Sequence, residues 1–107
     1  MKIKWLFEAK TEYHDLLNYY LTSYGKDSAR KFSEKVLSSV RLLEEFPEMG
    51  VVREDLLIGK YGFRSLFIGN HVCIYRIEKD TVLIYHMADA RTNYIYNIFG
   101  VDPYAEE

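Results

Sequence analysis

The sequence predicts an α+β domain. An N-terminal strand leads into a hairpin of two helices packed on an antiparallel sheet, and a short helix follows near the C-terminus. Two observations carry this reading. Apolar residues recur at three- and four-residue spacing through the first half, then alternate from Tyr61 onward. A Gly69-Asn70 pair also separates two of the alternating runs, which is a two-residue hairpin signal.

Lys2 to Phe7 reads as a short strand. Glu8 to Tyr24 reads as a helix, because Tyr13, Leu16, Leu17, Tyr20 and Tyr24 form one apolar stripe. Gly25 supplies a stop. Asp27 or Ser28 can cap the next helix, whose stripe is Ala29, Phe32, Val36, Val40, Leu43 and Phe46. Pro47 limits that helix, since the residue before a proline is pushed out of the α region. Gly62 to Ile68, His71 to Ile77 and Thr81 to Ala88 then read as strands of a meander. Arg91 to Phe99 reads as a terminal helix. The first strand joins the sheet, but its pairing is not readable from the pattern.

A chain of 107 residues sets one domain as the expectation, placed at residues 1–99 with an acidic tail at 100–107 that contains Pro103. With 49% apolar residues, ten tyrosines and six phenylalanines, the chain has ample core material and is not of disordered composition. Its single cysteine, Cys73, excludes an internal disulfide and a cysteine-rich zinc site, and fits a reducing cytoplasm. The apolar stretch before Glu8 is too short for a signal peptide or a membrane span, so a cytoplasmic protein with no membrane partner is expected. The net charge of −2 argues against a strongly nucleic-acid-binding protein but leaves room for a local basic patch. No metal site or cofactor is expected, because no phosphate-cradling loop, nucleophile motif or ligand spacing is present.

Turn positions set a register. If Gly69-Asn70 is a two-residue turn, Ile68 pairs with His71 and Arg64 lies opposite Tyr75. If Lys79-Asp80 closes the next hairpin, Cys73 lies opposite His86 and Tyr75 opposite Ile84. Alternation then gives one face to Phe63, Phe67, Val72, Ile74, Leu83, Tyr85 and Met87, expected to meet the helices. The other face holds Arg64, Leu66, His71, Cys73, Tyr75 and His86, where Arg, His and Tyr converge. Arg76 falls on the apolar face in this register, with its guanidinium escaping at the sheet edge or the register failing there. His71 follows a turn and is expected to be solvated.

The ordered set of these elements resembles the RelE/ParE superfamily of type II toxin–antitoxin toxins. The likeness rests on Phe46-Pro47-Glu48-Met49-Gly50 closing the second helix, Gly62-Phe63-Arg64-Ser65-Leu66, Val72-Cys73-Ile74-Tyr75-Arg76-Ile77, and Val82 through Tyr94 with its Arg-x-x-Tyr ending. It covers roughly residues 1 to 94. The resemblance implies a toxin neutralised by a cognate antitoxin, alone as a dimer or within a toxin–antitoxin hetero-oligomer. RelE-like members cleave mRNA on the ribosome, whereas ParE-like members inhibit DNA gyrase without catalysis. One position departs from the pattern: Asp89 stands where many relatives have a histidine, two residues before the arginine that aligns with Arg91.

Metal-independent RNA cleavage needs a base for the ribose 2′-OH, a cation for the phosphorane and an acid for the leaving oxygen. Arg64, His86, Arg91 and Tyr94 are the candidate catalytic residues. Arg64 and Arg91 would contact phosphate, His86 would move protons, and Tyr94 would stack a base. Arg53 and Tyr75 are candidate RNA-binding residues beside them. The alternatives are that the arginines pair with carboxylates or anchor the chain, that His86 is a hydrogen-bonded strand residue, and that Tyr94 packs on the core. The tyrosines of the first helix suit an interface, although core packing is the commoner use of such a stripe. A ribosome-dependent mRNA endoribonuclease acting on ribosome and mRNA is the first reading. A ParE-like gyrase inhibitor, or a member that only binds its partner without toxicity, are the others.

Overall fold

The computed structural model describes residues 1–100; of the acidic tail expected at 100–107, residues 101–107, with Pro103, lie outside the described residues. The elements run β1 (Lys2–Trp5), α1 (Phe7–Tyr24), α2 (Lys26–Arg41), a 3₁₀ turn (Leu42–Glu44), α3 (Leu57–Lys60), β2 (Arg64–Ile68), β3 (His71–Glu78), β4 (Thr81–Asp89) and α4 (Tyr94–Phe99). The sheet is four-stranded in the order β1-β4-β3-β2. β1 runs parallel to β4, pairing Ile3 with Val82 and Trp5 with Ile84, while the other pairs are antiparallel. The expected α+β architecture is therefore the observed one.

α1 and α2 pack as a hairpin. Gly25 ends α1 by donating to the Leu21 and Tyr20 carbonyls and also occupies the position before α2. Neither Asp27 nor Ser28 caps α2, because the helix already begins at Lys26 and Asp27 sits within its first turn, 3.5 Å from Arg30. Aromatic contacts hold the two helices together. Phe32 stacks on Tyr13 at 6.0 Å and on Tyr20 at 4.6 Å between ring centroids, and the Tyr13 and Ser33 hydroxyls are 2.8 Å apart. Tyr13 and Tyr20 thus serve packing, whereas Tyr24 is exposed despite its place in the predicted stripe. Phe46 is also exposed, because α2 gives way to the 3₁₀ turn at Leu42 and the helical spacing no longer holds.

The first hairpin has the predicted register, with Ile68 opposite His71 and Arg64 opposite Tyr75. Gly69 supplies the left-handed turn residue at φ 61°. The face assignment is reversed, except that Met87 meets the helices as expected. The side turned to α1 and α2 carries Leu66, Ile68, Cys73, Tyr75, Val82, Ile84 and Met87, while Phe67 is exposed. The physical reason lies in β3, where His71 through Tyr75 are all buried. A central strand covered on both sides has no polar face to orient it. His71 is not solvated but packs its ring against Phe32 and Tyr20 at 5.1 and 5.8 Å.

The second hairpin follows the predicted register only near its turn. Tyr75 pairs with Ile84 as expected, but Cys73 pairs with Met87 rather than His86. Ile74 pairs with His86, so Tyr85 is an extra residue and β4 bulges there. Strict alternation would send Ile84 and Met87 to opposite faces; the bulge lets both enter the core. Arg76 lies on the opposite side with its guanidinium 5.3 Å from the centre of the Phe63 ring. Phe63 also meets Tyr85 and Phe99, joining this side of the sheet to a second cluster of Leu56, Ile58 and Ile95.

The link from α2 to β2 is fixed by a side chain from the central strand. The Tyr75 ring is fully buried, and its hydroxyl accepts from the Gly50 N–H at 2.8 Å and donates to the Pro47 carbonyl at 2.7 Å. A Cβ on residue 50 would lie 2.7 Å from that hydroxyl and from the ring edge, so the close approach requires glycine. Past Gly50, Val51 and Ser65 exchange backbone hydrogen bonds of 2.9 Å, which covers part of the β2 edge.

Tyr75→Phe should lower unfolding free energy by about 1–3 kcal/mol, because the buried Gly50 N–H and the partly buried Pro47 carbonyl lose their partner. Gly50→Ala should cost about 1–3 kcal/mol by overpacking. In urea denaturation the double variant should lose less than the sum, since removing the hydroxyl relieves part of the clash. Additive losses would contradict direct contact between the two residues.

Candidate functional site

Three arginines were candidates for holding phosphate, and each has internal partners. Arg64, at the start of β2, donates from Nη1 to the Gly50 carbonyl at 3.0 Å and the Glu48 carbonyl at 3.2 Å. It thereby ties down the loop that Tyr75 holds from the other direction. Arg53 makes a fork-like pair with Asp55 at 2.9 and 2.7 Å. Arg91 does the same with Asp89, from Nε at 3.0 Å and from Nη2 at 2.8 Å, and its backbone N–H also reaches Asp89 at 2.9 Å. The side-chain and then the backbone hydrogen bonds from Arg91 hold the Asp89 carboxyl down at about 2. Asp89, the residue that departs from the family pattern, is therefore the group that neutralises Arg91.

His86 and Tyr94 line one groove, but the arginines and Tyr75 do not join them there. Arg64 starts the edge strand β2 and His86 lies in β4 with β3 between them, so their backbones are roughly 10 Å apart across the sheet. Tyr75 is buried beneath its loop, where desolvation raises the phenol's pKa, and its ring has no open face on which a base could stack. Tyr94 is half-buried and packs against the Leu56, Ile58 and Ile95 cluster.

His86 has a different setting. Glu12 of α1 places Oε1 3.1 Å from His86 Nδ1 and accepts the Met87 N–H at the same distance. The carboxylate thus bonds the strand just past the bulge and orients the imidazole beside it. Phe99 meets the His86 ring edge-on at 5.6 Å. The pair opens into a groove of about 420 Å³ between α1, β4 and α4, whose wall includes Phe7, Glu8, Tyr94 and Ile98. Sequence reasoning missed Glu12, because its partners lie more than seventy positions along the chain and no local motif announces the contact.

Among the described residues no group of His, Cys, Asp and Glu is placed to hold a metal ion. No helix of the described residues is long and apolar enough to cross a membrane. Burial raises the Cys73 thiol to about 12, so it has none of the thiolate character of a reactive cysteine.

Comparison with known proteins decides the family. The pattern described as "ParE toxin of type II toxin-antitoxin system, parDE" matches residues 3–94. The chain belongs to this family. Toxin ParE1 of Caulobacter vibrioides is 28% identical to it over 69 residues, 64% of this chain and 69% of the relative. A solved structure described as the chromosomal ParDE TA system from P. aeruginosa shares the fold, with a TM-score of 0.71 at 18% identity, covering 85% of this chain and 97% of that one. The RelE/ParE resemblance of the sequence is thus correct, and membership of a type II toxin family supports a cognate antitoxin as partner.

Burial also sets a pH dependence. Desolvation lowers the His71 pKa, outweighing the opposing pull of Asp89. Below pH about 6.5 the unfolded chain takes up a proton that the folded chain resists, so stability should fall as pH drops through that value. The urea midpoint should decrease from neutral to mildly acidic pH, and an NMR titration of the imidazole should place His71 below the ordinary histidine range. A His71 that titrates above that range would contradict its buried setting.

Proposed function

We propose that this ParE-family toxin acts by binding a protein target, as a non-catalytic inhibitor of DNA gyrase. The observation that carries the reading is that Arg53 and Arg91 are paired with carboxylates and Arg64 is bonded to loop carbonyls, so these three arginines do not converge on one point where a phosphorane could sit. A protein-blocking toxin needs no such site. The net charge of −2 fits this mode better than RNA binding.

Ribosome-dependent mRNA cleavage is the second reading, and one observation favours it. Glu12 bonded at His86 Nδ1 is the arrangement in which a carboxylate orients an imidazole for proton transfer at Nε2. The groove that holds it presents Glu8 and Glu12 but no Lys or Arg, so a phosphate entering it would meet like charge.

Two assays on the purified protein separate the readings. In a supercoiling assay the protein should inhibit gyrase in a dose-dependent manner, and with translating ribosomes it should leave mRNA intact. Full supercoiling at excess toxin together with cleaved mRNA would reverse the assignment. Full supercoiling with intact mRNA and no growth arrest on expression would instead mark a member that only binds its partner.

A further inference from the structure

We propose that the groove between α1, β4 and α4 is a docking site for a partner-protein segment that presents an apolar side chain beside an arginine or lysine. The inference holds whichever cellular process the toxin stops.

The first support is the apolar content of the groove. Phe7, at the start of α1, is 78% exposed, and Ala88 and Ile98 line the same wall. A phenylalanine left this open beside a concavity is an anchor contact for a complementary side chain. The volume of about 420 Å³ lies in the range of sites that enclose several groups rather than one small ion.

The second support is charge. The formally charged residues lining the groove are Glu8 and Glu12, and no lysine or arginine lines it. Glu12 engages His86 and the strand through Oε1 and lines the groove beside Glu8. Glu8 is exposed and has no ion pair among the described residues. The N-terminus of α1 contributes a partial positive charge of roughly half a unit, which the full charge of Glu8 in the same turn exceeds. A cationic side chain therefore gains on entering and an anionic one is repelled. The smaller groove beside the hairpin turn has the opposite character, with Lys31 and Lys35 around Phe32 and His71. The two concavities thus differ in the sign of the charge that lines them. A bare polycation satisfies the carboxylates of the first groove but leaves Phe7 and Ile98 uncovered, so the fitting ligand carries both features.

The test uses the full chain and a short fluorescent peptide in which leucines alternate with arginines. A peptide with glutamates in place of the arginines is the control, and spermidine is a competitor. The arginine peptide should bind saturably, with a Kd that rises with salt. Glu8→Lys should weaken it roughly tenfold or more, and Phe7→Ala should also weaken it. Both side chains are exposed, so melting should be unaffected; if Glu8→Lys melts early, Thr11→Lys makes the same charge change on the same wall. Amide shifts should concentrate at Thr11, Ala88 and Ile98. The proposal is overturned by no binding of the arginine peptide, by equal binding of the glutamate peptide, or by an unchanged Kd in the charge variants. Displacement by spermidine as readily as by unlabelled peptide, or shifts centred on Phe46 and Met49, would overturn it equally.

Discussion

The loop between the helical hairpin and the sheet is held by one phenol. Tyr75 stands in the central strand with its ring buried against the core, and its hydroxyl serves as acceptor for Gly50 and donor to Pro47. The Gly50 N–H bond is buried and the Pro47 carbonyl bond partly so, which makes the contact a structural requirement and not a surface decoration. Several features follow from it. Residue 50 has no room for a Cβ. The carbonyls of Glu48 and Gly50 are fixed where the Arg64 guanidinium can reach both. Val51 is delivered to the β2 edge. The Phe-Pro-x-x-Gly segment, the arginine of β2 and the tyrosine of β3, which carry the family likeness as separate motifs, meet as one packing unit.

That unit redistributes the charge available for chemistry. An arginine aimed at backbone carbonyls is not poised over open space, and the fork-like pairs of Arg53 with Asp55 and Arg91 with Asp89 are complete without a ligand. The exposed pairs contribute little to stability, but they lower the local positive potential. The Glu12–His86 pair lies in a groove whose other charged residue is acidic. These pairings fit the proposed protein-blocking mode better than a track for a phosphate backbone.

Much of the fold was legible because its signals are local. The stripe of α1, the stop at Gly25, the Gly69-Asn70 turn and the pairing of Arg64 with Tyr75 each depend on residues close in sequence. The rest depends on contacts that sequence spacing does not encode. β1 finds β4 across most of the chain. The face of β3 is undecidable by hydrophobicity because His71 through Tyr75 are all buried. The bulge at Tyr85 moves Met87 into the place expected for His86. The candidate site was legible as residue types but not as a constellation. Arg64 and His86 were placed on one face through that same register, and the partners that define them, the loop carbonyls and Glu12, come from distant segments. Asp89 was visible as a departure from the family pattern, and its consequence for Arg91 emerged only with the geometry.

The most direct test of this account is titration of the protein with a short labelled single-stranded RNA at low ionic strength, where phosphate contacts are strongest. With its arginines paired internally, the protein should show no saturable binding, and Arg64→Gln should leave that result unchanged. Saturable, salt-sensitive binding that is lost on Arg64→Gln would contradict it and return the arginines to a role in holding phosphate.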